Sequence, residues 1–158
     1  MKRILALTAV VVLPLAASGV LLAQENPFVG TWRLNLAKSK YSGEQAPKSE
    51  TRTVVTQGDG EKITCEGIVA DGSPISYSFT TDLDGKDSPI SGTQPFGADT
   101  IAVKRAGNRH TSIAKKAGKT LYTATSVMSY DGKIITQTTR GVNGDGLPIR
   151  ILTVWDKQ

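Results

Sequence analysis

The chain has 158 residues, 39% of them hydrophobic and 21% charged, with 19 Lys and Arg against 14 Asp and Glu for a formal charge of +5. That length suits one domain with one modest core and is too short for two. The positive charge is too mild to argue for a nucleic-acid partner, and a single cysteine, Cys65, excludes an internal disulfide, so the core itself must hold the fold.

At the start of the chain, Lys2 and Arg3 precede an apolar run over 4–22, and the small Ala23 stands before the polar Gln24-Glu25-Asn26. This is the layout of a secretory signal peptide over 1–23, with cleavage after Ala23. The run is nearly long enough to span a bilayer, so a retained anchor is the alternative. Cleavage would remove two of the positive charges and predicts a periplasmic or extracellular protein whose single domain is residues 24–158.

From Gly58 onward one punctuation mark repeats. Turn signals stand at Asp59-Gly60, Asp71-Gly72, Asp84-Gly85, Pro95-Phe96-Gly97, Gly107-Asn108, Gly118-Lys119, Asp131-Gly132 and Asn143-Gly144, spaced 11 to 13 residues apart. Asp-Gly and Asn-Gly supply the positive φ angles of tight hairpins, so each mark can reverse an antiparallel strand. The intervening segments are rich in Thr, Val, Ile and Tyr and favour strand over helix. Trp32, Leu34 and Leu36 alternate with Arg33 and Asn35; Ile75, Tyr77 and Phe79 alternate with Ser76, Ser78 and Thr80; Ile101 and Val103 alternate with Ala102 and Lys104. Farther on, Tyr122, Ala124, Ser126 and Met128 oppose Leu121, Thr123, Thr125 and Val127, and the pattern does not choose between the two faces.

Strands are predicted near 29–36, 50–57, 61–69, 74–82, 99–106, 109–117, 120–130, 133–141 and 147–155. About nine strands of similar length in sequence predict an all-β, antiparallel up-and-down meander that curls into a barrel and so removes its exposed edges. A β-sandwich is the runner-up. A membrane barrel is disfavoured, because the strands are too rich in Thr and Lys to carry a lipid-facing apolar band. The polar segment 37–49 is long enough either to cross the barrel mouth as a lid or to run as a plain surface loop.

The opening Phe28-Val29-Gly30-Thr31-Trp32-Arg33-Leu34-Asn35, followed by Lys38-Ser39-Lys40-Tyr41, resembles the start of the lipocalin and fatty-acid-binding-protein group, the calycins. In that group a Gly-x-Trp lies on the first strand and the Trp closes the barrel floor. Together with Asp84-Gly85-Lys86-Asp87, Asp99-Thr100-Ile101 and the terminal Val154-Trp155-Asp156-Lys157-Gln158, the chain is similar to a group of small secreted bacterial proteins of uncharacterised activity. The resemblance implies a lipocalin-like barrel and a small apolar ligand. Fatty-acid-binding proteins hold a carboxylate with an Arg-x-Tyr on the last strand; here the comparable step is Arg150-Ile151-Leu152, without the Tyr.

Candidate chemistry is sparse. His110, the only histidine, follows Arg109 beside a turn and is expected on the surface, with no neighbouring carboxylate in sequence to orient it. Cys65 shares a face with Ile63 and is expected to be a buried, inert thiol. The closely spaced Asp82, Asp84 and Asp87 around Gly85 echo a calcium loop without its full spacing or terminal Glu, so a hairpin turn is expected. The other carboxylates stand mostly at turns, with Glu66 alone open to either face, and no inward acid–base pair is evident. No metal, cofactor or catalytic activity is therefore expected. Between Thr100 and Tyr130 there is no acidic residue, and Lys104, Arg105, Arg109, Lys115, Lys116 and Lys119 make a basic hairpin.

These readings predict a non-catalytic exported binding protein. A small hydrophobic or amphipathic ligand, with an anionic one included, would lie among Trp32, Tyr77, Phe79 and Val103 and near Arg105, which shares the parity of Val103. The alternative is a solidly packed barrel that contacts envelope polymers or another protein through the basic face of Arg109, Lys115, Lys116 and Lys119.

Overall fold

In a computed structural model, residues 26–158 are described, and the proposed signal segment 1–23 lies outside them. Twelve strands follow one another: β1 (Gly30–Leu34), β2 (Lys40–Ser42), β3 (Ser49–Gln57), β4 (Gly60–Ile68), β5 (Pro74–Thr81), β6 (Asp84–Pro89), β7 (Ser91–Thr93), β8 (Thr100–Ala106), β9 (Arg109–Lys116), β10 (Lys119–Met128), β11 (Ile134–Val142) and β12 (Pro148–Lys157). A single 3-10 turn, Leu36–Lys38, is capped by the Asn35 side chain.

All twelve strands form one antiparallel sheet in the order β6-β8-β9-β10-β11-β12-β1-β3-β4-β5-β7, with β2 added beside β12. Chain neighbours are sheet neighbours almost throughout, which is the predicted meander. Its two ends lie on one continuous stretch: β6 pairs with β8 and β7 pairs with β5, and between them the Ile90 N–H donates to the Asp99 carbonyl at 2.9 Å. The ribbon is thereby wrapped into a nearly closed barrel.

The expected count of nine strands is corrected to twelve. All nine predicted strands correspond closely to observed ones; those missed are β2, β6 and β7. β2 is three residues long, too short to show a period. Asp84-Gly85-Lys86-Asp87-Ser88-Pro89 carries residues depleted in strands, and it is held by backbone pairing at the sheet's end, where charged side chains face water.

Inward positions alternate as the pleat requires. Trp32, Leu34, Val54, Ile63, Cys65, Met128, Ile135 and Trp155 are buried together with Phe28 at one end, and Tyr77 and Phe79 lean on them. A second cluster at the other end gathers Ala98, Ala114, Tyr122, Ile149 and Ile151. On β10, Tyr122, Ala124, Ser126 and Met128 are the buried set, which decides the face that the sequence left open. Trp32 is fully buried, and its indole N–H donates to the Phe28 carbonyl at 2.8 Å, so the N-terminal turn is stitched across the barrel's floor.

Candidate functional site

The barrel is hollow. It holds a cavity of about 610 Å³ lined by both apolar and polar side chains. Strands β4, β5 and β8 present Ile63, Cys65, Tyr77, Phe79, Ile101 and Val103. Beginning beside β8, the consecutive neighbours β9, β10, β11 and β12 present Ser112, Ser126, Gln137, Thr139 and Thr153, a stripe of hydroxyl and amide groups among apolar ones. The stripe is internally bonded: Ser126 Oγ donates to Gln137 Oε1 at 3.0 Å, Gln137 Nε2 donates to Thr139 Oγ1 at 3.3 Å, and Trp155 Nε1 donates to Thr153 Oγ1 at 3.0 Å. Thr139 and Thr153 accept in these contacts and keep hydroxyl hydrogens to donate.

Phe28, Ile135 and Trp155 line the floor, and Tyr41, Glu44, Pro47 and Phe96 line the other end. The segment 37–49 thus contributes to the cavity. It is tied across the barrel end, since Asn143 Nδ2, in the β11–β12 turn, donates to Glu44 Oε1 at 2.6 Å.

Two charged groups that sequence reasoning did not single out reach the cavity from β3. Arg52 stacks on Trp155, with Cζ 4.2 Å from the ring centroid, and Nη1 donates to Gln137 Oε1 at 3.1 Å. Glu50, on the same face, accepts a long hydrogen bond from the Tyr77 hydroxyl at 3.4 Å. Burial pushes the Glu50 carboxyl above the usual carboxylate range, with Arg52 partly opposing, and pushes the Cys65 thiol up as well. The signal for Arg52 was its parity with Val54, which is weak because Thr51 and Thr53 on the opposite face are equally good strand residues.

At the floor, His110 and Glu61 face each other across the barrel with Nε2 3.5 Å from Oε1, and Phe28 stacks on the imidazole at 3.6 Å. His110 is mostly shielded, with its side chain 11% exposed, and lines the cavity, which corrects the expected surface placement: β9 begins at Arg109, so the residue after the turn already points inward. Inward carboxylates are likewise present, as Glu50 and Glu61, whereas Glu66 is exposed. Asn26 Nδ2 donates to Glu61 Oε1, while Glu61 Oε2 and His110 Nε2 have no partner among the described residues.

Burial, with Arg105 and then Arg52 close by, pushes the imidazole down to about 4. Burial pushes Glu61 the other way, so the proton goes to the carboxyl more readily than usual. The expected NMR result is a His110 ring that stays neutral as pH falls through 6.5 and titrates at about 4. A midpoint at or above 6.5 would mean that the Glu61 carboxylate dominates instead. The unfolded chain takes up this proton first, so the His110 contribution to stability is intact above 6.5 and is lost as pH falls towards 4. Glu61 acts in the opposite sense.

Of the residues predicted to bind a ligand, Tyr77, Phe79 and Val103 line the cavity together. Trp32 lies beneath it within the floor rather than on the wall. Arg105 is half-buried and pairs with His110 in the β8–β9 ladder, beside the floor pair rather than on the cavity wall. The basic face is only partly free: Arg109, Lys116 and Lys119 are exposed, but Lys115 Nζ pairs with Asp87 at 2.8 Å. The Asp-rich segment, expected as a hairpin turn, instead enters strand β6 at Asp84, where Lys86 pairs with Asp84 at 2.6 Å. A hollow interior also removes the premise of a solidly packed barrel.

Strand order and cavity together define a nearly closed, hollow antiparallel β-barrel. Among solved structures the chain is similar to zebrafish ileal bile acid-binding protein, determined in complex with cholic acid, with a TM-score of 0.50, 16% identity, and coverage of 84% of this chain and 100% of that one. At that identity the likeness concerns the fold. No protein-family model and no curated protein matches the chain.

Proposed function

We propose that this chain is an exported carrier that holds one small hydrophobic or amphipathic ligand inside its barrel without transforming it. The observation that carries the reading is the barrel's cavity of about 610 Å³, lined by apolar side chains together with a stripe of hydroxyl and amide groups. That volume lies within the roughly 300–1,000 Å³ range of small-molecule sites, which bury an apolar body and orient it with a few polar groups. The likeness to a bile-acid-binding barrel supports a ligand of that general character. Export rests on the layout of residues 1–23, and the exported form is expected to begin at Gln24, which its intact mass would reveal.

Binding is tested by titrating the mature protein with phenylnaphthylamine, a neutral probe that fluoresces in apolar surroundings. Saturation at one probe per chain is expected, with quenching of tryptophan emission because Trp155 lines the cavity. The ligand should be recovered chemically unchanged. Absence of any saturable enhancement, with this probe or other apolar dyes, would remove the carrier reading.

A further inference from the structure

Arg52 is a permanent cation, half-buried on the inner face of β3. Its Nη1 hydrogen bond goes to the neutral Gln137, whose Oε1 is shared with Ser126 Oγ. Its other face lies on the Trp155 ring. Among the described residues its Nε is buried with no hydrogen-bond partner, and no carboxylate comes within 4.0 Å of the guanidinium. Cation–π contact and one amide carbonyl compensate only part of the cost of desolvating a charge, and a buried cation ordinarily finds an anion. The same side chain lines the cavity, beside Tyr77 and Gln137.

We propose that Arg52 is the anchor for a ligand's anionic head group, a carboxylate or sulfonate carried on an apolar body, held midway along the cavity wall. This rests on the carrier reading and specifies its ligand class. The guanidinium N–H groups that Gln137 does not engage supply donors for the two oxygens of such a head. The apolar body then lies along Ile63, Phe79 and Val103. Glu50 is the one carboxyl on the same face of β3, and its hydrogen bond from Tyr77 turns it towards that hydroxyl. Burial favours its protonated form, which limits its repulsion of an incoming anion. The position differs from an Arg-x-Tyr on the last strand, because Arg150 of β12 is exposed and the anchor comes from β3 instead.

Anilinonaphthalenesulfonate and phenylnaphthylamine share one aromatic body and differ by the sulfonate, so their affinities isolate the head group. Wild-type protein is expected to bind the sulfonate roughly tenfold or more tightly than the neutral probe, as charge-assisted hydrogen bonds of this kind allow. Arg52→Met should remove that preference, read as the ratio of the two probes' affinities within the same variant. Arg52→Lys, which keeps the charge and loses the fork, should retain part of it. Glu50→Gln should leave sulfonate binding equal or tighter. Equal affinities in the wild type, or an Arg52→Met protein that keeps the preference, overturn the anchor alone. Weaker sulfonate binding in Glu50→Gln also counts against it. Loss of both probes from the wild type overturns the carrier reading and the anchor with it. Where Arg52→Met does not fold, the wild-type ratio and Arg52→Lys decide.

Discussion

Replacing Trp32 with Ala is expected to destabilise the folded chain by about 3–5 kcal/mol, the range for large aromatic side chains removed from a core. Trp32 is fully buried among Phe28, Leu34 and Trp155 in the floor cluster. The β1–β3 and β1–β12 ladders hold the backbone at this position on both sides, so the strand itself does not move in to fill the void. Truncation also orphans the Phe28 carbonyl that the indole serves and so loosens the N-terminal turn stacked on His110. Urea denaturation of the variant beside the parent measures the loss. A shift under about 1 kcal/mol would mean that the floor is not the tightly filled layer described here.

Gly141→Val is expected to be at least as damaging. Gly141 lies in β11 directly across from Tyr122, with φ +150. A Cβ there would stand 2.2 Å from the Leu121 carbonyl oxygen and 2.5 Å from the Tyr122 Cα, both of them backbone atoms of β10 that cannot rotate away. The ladder must open or the strand must shift. Overpacking and backbone strain together put the cost at about 3 kcal/mol or more. Tyr122 lines the cavity and accepts a hydrogen bond from Gln94 at 2.7 Å, so ligand affinity should fall in any fraction that folds. Thermal melting with the neutral probe present measures both effects. A variant that melts with the parent and binds equally would show that β10 and β11 do not approach as closely at this point.

The fold was legible because turn chemistry and side-chain period are local properties. Asp-Gly and Asn-Gly marks every dozen residues, and alternation in segments such as 75–79 and 101–103, are written in adjacent residues, and they led to observed hairpins and strands, except that Asp84-Gly85 lies within β6 rather than at a turn. What escaped depends on distant neighbours. β6 is a strand because β8 offers it unpaired backbone, although its own residues argue against one. His110 and Glu61 meet only once the barrel brings β9 and β4 round to face each other, and neither carries a mark of this in its flanking residues. Arg52 is functional by virtue of Gln137 and Trp155, respectively 85 and 103 positions away, the first of them through a hydrogen bond that spans the interior. Assigning Arg105 to the cavity by parity put the residue on the inward face but ignored its height along the barrel, where the floor pair intervenes. Trp32 was displaced from the wall for the same reason.

The central claim is that the inside of this barrel, and not its outer face, receives the ligand. Amide chemical shifts of the isotopically labelled mature protein, followed as the neutral probe is added, test this directly. The account predicts movements concentrated at inward positions on opposite walls, Arg52, Tyr77, Val103, Ser126 and Gln137 among them. Movements confined to exposed residues such as Lys104, Lys116 and Arg150, with those interior amides unchanged, would contradict it.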